Sequence, residues 1–285
     1  MKLHEQTITV PNIDNPCKAV PFLKWAGGKR WFISQHNNLL PSHYNRYIEP
    51  FLGSGAVFFH LRPNSAIIAD SNQDLIETYI AIRDFPEEIQ NLLQIHQRYH
   101  SKEYYYTIRQ SNYETIWEKA ARFLYLNRTC WNGLYRVNRQ GQFNVPIGTK
   151  TKVMLDTDNF PFISEILAKT KILTSDFESV IDQAEEEDFI FIDPPYTVKH
   201  NENGFVNYNE KIFSWEDQIR LRDSIGRAAT RGARILMTNA DHESIRQLYN
   251  GMCQIESVER SSIIAGKSTH RGKTTEVLIQ IGEGW

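Results

Sequence analysis

Asp188-Phe189-Ile190-Phe191-Ile192-Asp193-Pro194-Pro195-Tyr196 decides how the rest of the chain is read. Its run 189–192 is short, apolar and rich in aromatic and β-branched side chains, as in a fully buried strand. Asp193 then stands at the strand's carboxyl end, where open α/β sheets bind their ligands. Each proline fixes φ, lacks an N–H and holds the residue before it extended. The result is a stiff bracket with one carboxylate, carbonyl oxygens without amide competition, and an aromatic face. A planar base carrying an exocyclic amino group fits it. Carboxylate and carbonyl accept the two N–H bonds, and Tyr196 stacks on the ring. On stacking alone, Tyr196→Phe is expected to be nearly neutral.

Working outward, Tyr44 to Phe51 reads as a strand, Leu52-Gly53-Ser54-Gly55 as a turn, and Ala56 to Leu61 as a helix opening. Strand, glycine turn and helix form the first unit of a nucleotide-type α/β fold. The third glycine of a dinucleotide fingerprint is missing, because Phe58 takes its place. Ala66 to Asp70 is a second strand ending in an acid. Asp70 can accept bonds from ribose hydroxyls, or Asp70 or Asn72 can cap the helix that carries Leu75, Ile76, Tyr79 and Ile82. Near the start, Gly28-Lys29 invites a P-loop reading, but Leu23 and Arg30 stand where that motif needs Gly and Ser or Thr. Downstream, 171–174, 234–238, 254–258 and 276–281 read as further strands. Ser214 to Asp217 reads as a capping box opening a helix, and 197–213 as a long loop of the kind that closes over ligands.

The 285-residue chain is 41% hydrophobic, enough for one large α/β domain with a smaller insertion. A net charge of −2 does not advertise nucleic acid, so any DNA surface must be a local patch. Such a patch exists. Residues 119–155 contain no Asp or Glu, yet carry Lys119, Arg122, Arg128, Arg136, Arg139, Lys150 and Lys152. Within it, Gly133 to Val137 and Gln142 to Val145 flank Asn138-Arg139-Gln140-Gly141, a hairpin signal. A two-stranded ribbon fits a DNA major groove. A second acid-free basic stretch, 260–275, suits phosphate contacts. Cys17, Cys130 and Cys253 form no disulfide framework and no metal-ligand spacing, which fits a reducing cytoplasm. The amino terminus has no apolar signal-peptide core, and no stretch reaches membrane-spanning length.

These motifs, in this order, resemble the DNA adenine-N6 methyltransferase (Dam) family, the D12 class of the α-group. Lys24-Trp25-Ala26-Gly27-Gly28-Lys29 resembles its amino-terminal cofactor motif, Glu49-Pro50-Phe51-Leu52-Gly53-Ser54-Gly55 its glycine motif, and Asp193-Pro194-Pro195-Tyr196 its catalytic motif. Asn127-Arg128, Asn132 to Arg136 and Phe143-Asn144-Val145-Pro146 resemble its DNA-reading hairpin.

The resemblance implies a Rossmann-like α/β sheet with helices on both faces, formed by 1–72 and 160–285. It also implies a mostly helical target-recognition insertion at 73–159, with the hairpin at 133–146. The implied cofactor is S-adenosyl-L-methionine, held by Trp25, Lys29, Glu49, Phe51, Gly53, Gly55, Asp70, Asp176, Phe177 and Asp193. Asp70 would hold the ribose, and Asp176 and Phe177 the adenine. Asp193, Pro194, Pro195 and Tyr196 would act on a flipped adenine in a GATC-like site. Double-stranded DNA would meet Lys24, Arg128, Trp131, Asn132, Leu134, Arg136, Asn138, Pro146, Lys150, Lys267 and Arg271. The implied protein is a cytoplasmic monomer that needs no metal and no membrane. Two rivals fit worse. A dinucleotide-dependent oxidoreductase leaves the Pro-Pro bracket and the hairpin without a role. Relatives that methylate RNA or a protein amide typically carry Asn before Pro-Pro-Tyr, where this chain has Asp193.

Overall fold

A strand apolar at every position needs cover on both faces. In the computed structural model, which describes residues 19–198, 213–261 and 273–282 and, at 260, 261, 273 and 274, the backbone alone, it has that cover. Seven strands form one sheet: β1 Tyr47–Glu49, β2 Ala66–Asp70, β3 Thr170–Thr174, β4 Phe189–Ile192, β5 Arg234–Ala240, β6 Gln254–Ser261 and β7 Lys273–Ile281. Their order is β3-β2-β1-β4-β5-β7-β6. β1 to β5 are mutually parallel; β7 runs antiparallel to β5 and β6. Side chains alternate across the sheet. Tyr47, Ile68, Phe189, Phe191 and Leu236 enter one apolar cluster. Ile48, Ile67, Ile190, Ile192 and Met237 enter the other.

Ten α-helices are described: α1 Arg30–His36, α2 Ala56–Leu61, α3 Gln73–Asp84, α4 Pro86–Tyr99, α5 Lys102–Gln110, α6 Ile116–Thr129, α7 Phe160–Leu167, α8 Phe177–Ile181, α9 Trp215–Thr230 and α10 Glu243–Leu248. Local chemistry sets several starts. Asn72, not Asp70, caps α3 by accepting from the Leu75 N–H. Ser214 and Asp217 form the expected capping box on α9, and Thr115 with Glu118 forms another on α6; such caps contribute about 1 kcal/mol each. Helices α1, α7 and α8 had no clear signal in the sequence.

The stretch 73–130 is helical as its periodicity predicts. It is not a separate core, however. Leu75, Tyr79, Tyr105, Leu124 and Val145 belong to the same apolar cluster as Tyr47 and Phe58 on one face of the sheet. The boundary at residue 72 therefore marks a change in composition, while the packing continues across it. The expected hairpin also takes a looser form. Its arms meet in isolated bridges, Val137 opposite Phe143 and Cys130 opposite Ile147, and not in a continuous ladder. Lys267, Arg271 and most of the 197–213 loop fall outside the described residues.

Candidate active site

Strand order reverses between β1 and β4, so their carboxyl ends open a crevice. Asp193 follows β4 there. Its Oδ1 receives Lys29 Nζ at 2.7 Å and Thr238 Oγ1 from β5 at 2.8 Å. Both contacts fall on one oxygen, and among the described residues no donor is found on the other, Oδ2. Burial pushes the Asp193 carboxyl above its ordinary range, and Lys29 pulls it back. Lys29 is only 3% exposed and donates also to the Gly27 carbonyl at 3.0 Å. Pro194 is buried and Pro195 half-buried.

Tyr196 differs from the sequence reading. Its hydroxyl donates to Glu276 Oε2 at 2.6 Å, and Lys29 Nζ stands 5.1 Å from its ring centroid. Burial first, then the neighbouring Asp193 and Glu276 carboxyls, hold the phenol well above its usual range, so it stays a donor. Tyr196→Phe would remove the hydroxyl that Glu276 accepts from and leave that carboxyl to Lys29 at 3.6 Å, a contact that stacking alone does not count. Glu276 was missed because it lies 80 residues from Tyr196 in sequence. The only sequence signal is a lone acid entering the apolar run 277–279. β7 is antiparallel, so its amino-terminal half reaches the edge where β4 and β5 end; Glu276 pairs with Ala240 at the end of β5.

The glycine turn is braced from several sides. The Gly53 N–H donates to Asp70 Oδ2 at 3.1 Å, and the Asn72 N–H to Oδ1 at 3.0 Å. The Gly53 carbonyl accepts from the Tyr79 hydroxyl at 3.1 Å. Gly53 has φ 49°, which L side chains rarely adopt, and a Cβ there would stand 2.7 Å from Trp25 Cδ1. Trp25 is thus packed directly on the turn. Gly55, in the left-handed region as well, starts α2. Glu49 stands at the carboxyl end of β1. It is buried at 3% exposure and accepts from the Tyr47 hydroxyl at 2.8 Å. Burial raises its carboxyl well above the ordinary range, and Asp193 and Asp70 raise it further. Asp70 is raised by burial too, against the backbone N–H groups of Asn72, Gly53 and Ser71. Asp193 and Glu276 thus flank one lysine, with Glu49 near enough to feel both Asp193 and Asp70. Such a pocket favours a cation and disfavours a pyrophosphate.

The residues expected to meet the cofactor's adenine already have neighbours. Phe177 is 5% exposed, stacked on Phe51 with centroids 5.4 Å apart, and the Arg220 guanidinium lies 4.9 Å from its centroid. A base stacking on this ring would first have to displace one of them. Asp176 caps α8 through the Glu178 N–H at 3.0 Å and pairs with Arg220 at 2.8 Å. Phe51 is half-buried in the same place.

The base of the hairpin also holds a correction. Arg128, predicted to touch DNA, is 2% exposed. It makes a two-pronged pair with Asp158 at 2.7 Å and donates to the Phe22 and Val153 carbonyls. Asn127 beside it accepts from the Lys24 N–H and donates to the Lys24 carbonyl, both at 2.8 Å. Helical spacing turned both side chains inward, where Asn127 ties Lys24 to Gly133 and Arg128 ties Phe22 to Val153 and Asp158. Arg122 is spent likewise on the Ile108 and Arg109 carbonyls. Asn138 closes the turn by accepting from the Gln140 and Gln142 N–H groups at 2.9 and 3.0 Å.

What remains outward is a mixed face. Trp131, Leu134 and Val137 are 52%, 45% and 38% exposed. Lys24, Asn132, Arg136, Pro146 and Lys150 are exposed with them. Asn132 and Gly133 both have positive φ, 55° and 67°, and this double turn carries Trp131 outward. A Cβ on Gly133 would stand 2.6 Å from Lys24 Cδ, so Lys24 lies against the hairpin base. Arg136 Nε donates to Asn144 Oδ1 at 2.7 Å across the arms. Among the described residues no group of His, Cys, Asp and Glu could hold a metal, and no helix is long and apolar enough to cross a membrane.

Comparison with known proteins points the same way. The model of a family described as D12 class N6 adenine-specific DNA methyltransferase matches residues 25–263. A Type II methyltransferase of Lactococcus lactis subsp. cremoris is 39% identical over 268 residues, covering 91% of this chain and 94% of its own length. A Type II methyltransferase of Methanocaldococcus jannaschii is 35% identical, covering 88% and 94%. A DNA adenine methylase of Vibrio cholerae is 30% identical, covering 90% and 94%.

Proposed function

Since the chain belongs to the D12 class N6 adenine-specific DNA methyltransferases, we propose that it methylates N6 of an adenine turned out of double-stranded DNA, in a GATC-like site, with S-adenosyl-L-methionine as donor. The observation that carries this reading is the aim of Asp193, with Oδ1 held by Lys29 and Thr238 and Oδ2 left for a substrate N–H. The acidic surroundings of the crevice suit the cofactor, which supplies a methyl group on a positively charged sulfonium. A dinucleotide's pyrophosphate would meet Asp70 and Asp193 instead.

Asp70 keeps acceptor capacity beyond its backbone bonds, enough for ribose hydroxyls. Phe51 and Phe177, with Asp176 once Arg220 gives way, form the place for the cofactor's adenine. Trp25, packed on Gly53, closes the pocket over the turn.

The substrate's amino nitrogen is a poor nucleophile because its lone pair is delocalised into the ring. Asp193 Oδ2 and the Pro194 carbonyl accept its two N–H bonds, which favours a pyramidal nitrogen. As positive charge grows there, the Asp193 carboxylate stabilises it. Tyr196 stacks on the base. A paired adenine cannot reach this bracket, so it must leave the duplex. Trp131 and Asn132 then fill or brace the gap, Arg136 reads a guanine, Leu134 meets a thymine methyl, and Lys24, Pro146 and Lys150 line the DNA beside them. Wherever the chain works, its substrate places it with DNA, as in a bacterial cytoplasm.

The test is to incubate purified protein with duplex DNA and isotopically labelled S-adenosylmethionine, then digest and separate the nucleosides. Label in N6-methyladenine is expected, concentrated at GATC-like sites. Label on cytosine, or none on DNA, would overturn the reading.

A further inference from the structure

Glu276 is 3% exposed and comes from the strand farthest along the chain, yet it touches two groups of the crevice. Its Oε2 accepts from the Tyr196 hydroxyl at 2.6 Å and lies 3.6 Å from Lys29 Nζ. Lys29 in turn fixes Asp193 at 2.7 Å. A continuous chain of contacts thus runs from the stacking ring through Glu276 and Lys29 to the acceptor carboxyl. Thr238 adds a second hold on Asp193 from β5, the strand that pairs with β7.

We propose that Glu276 is a positioning residue for methyl transfer, holding the Tyr196 ring and the Lys29 ammonium in the one arrangement in which base and acceptor face each other. This rests on the function proposed above. The physical argument is rotational. The Pro194-Pro195 bracket fixes the backbone before Tyr196, but the ring still turns about two side-chain torsions. A hydroxyl tied to a buried carboxyl fixes the first of these, and with it where the ring stands, before the base arrives. The same carboxyl places Lys29 between two acids, so its ammonium cannot swing toward the substrate.

Glu276→Gln keeps the shape but breaks the charge-assisted bond from the Tyr196 hydroxyl, putting a neutral amide in place of the carboxylate, and removes the charge beside Lys29. Tyr196→Phe removes the other end of the bond. Single-turnover methyl transfer at saturating cofactor and duplex, the KM for each substrate, and thermal unfolding are measured for both variants and for the double variant. Each single change is expected to slow transfer about ten- to a hundredfold. The KM for cofactor and the unfolding midpoint should change little. The double variant should be no slower than the worse single one, because both break the same link.

Effects that multiply in the double variant would overturn the role, as would a Glu276→Gln protein that transfers at the wild-type rate. A Glu276→Gln protein whose only change is a lower unfolding midpoint would make Glu276 structural and overturn it as well. These outcomes leave the proposed function standing when the wild type methylates adenine. A wild type that leaves DNA adenine unmethylated overturns both together.

Discussion

The crevice and the hairpin are built on opposite plans. In the crevice the polar groups are partnered before any substrate arrives: Asp193 by Lys29 and Thr238, Asp70 by backbone N–H groups, Tyr196 by Glu276. On the hairpin, the arms meet in isolated bridges, and Trp131, Leu134 and Val137 face outward. The difference fits the work that the proposed function gives to each. Stabilising charge that develops on one nitrogen needs dipoles and charges fixed in advance. Reading base edges needs side chains whose capacity is unspent and whose backbone can adapt to a groove. The line between the two plans falls within a few residues, between Arg128 and Trp131.

The largest effect should come from the rigid side of that line. Arg128→Met removes one half of an ion pair whose side chains are 2% and 4% exposed, leaving Asp158 buried alone. The loss of stability should be about 3–5 kcal/mol. Chemical unfolding measures it, and the folded fraction should keep its sequence preference. If Arg128→Met unfolds like wild type and instead loses preference among DNA sites, Arg128 belongs to the reading face after all.

Next comes the acceptor itself. Asp193→Ala removes one of the two N–H acceptors and leaves Lys29 facing Glu276 alone. By analogy with a lost oxyanion-hole donor, single-turnover transfer should fall at least about 10²–10³-fold. Cofactor affinity should fall too, since Asp193 borders that pocket. Substantial methylation by the purified variant would show that the crevice's fixed geometry is not what drives the chemistry.

How much of this could be read in advance depended on sequence distance. β4, the bracket after it and the glycine turn were legible because each is a local pattern: an apolar run, two prolines, a strand followed by Gly-x-Gly. Asn72 and Ser214 were legible because capping acts over three residues. Thr238 and Glu276 were not, because they reach Asp193 and Tyr196 from 45 and 80 residues away, through the order of strands in the sheet. Arg128 misled for a related reason. Its charge placed it in the basic patch, but the helical phase of α6 turns it inward, where it donates to the Phe22 carbonyl and lies over the Phe160 ring. Asp176 and Phe177 were found as a pair, while the Arg220 that covers them comes from α9, more than forty residues on.

On the adaptable side the effects should be smaller. A guanine read by two bonds from Arg136 would contribute about 1–3 kcal/mol of discrimination. Arg136 already bonds Asn144 across the hairpin, so part of that gain is an exchange, and the lower half of the range is expected. Methylation rates on GATC and on each singly altered site, for wild type and Arg136→Ala, measure it. Cofactor affinity should not move. A variant that discriminates as sharply as wild type at every base pair would reduce Arg136 to a backbone contact.

The smallest effect should be at Lys150, which is exposed beyond the closing arm of the hairpin. A lysine there can neutralise a phosphate but has no geometry for a base edge. Its contribution is then the release of about one counterion, independent of sequence. Lys150→Ala should weaken binding evenly across all sites and lower the slope of log affinity against log salt by about one. The comparison of crevice and hairpin sharpens here, since Arg136 should change preference without much change in slope and Lys150 should do the reverse. Titrations of GATC and scrambled duplexes at several salt concentrations separate the two. A Lys150→Ala protein whose salt slope matches wild type would place the phosphate contact elsewhere on the face, with Lys24 the next residue to change.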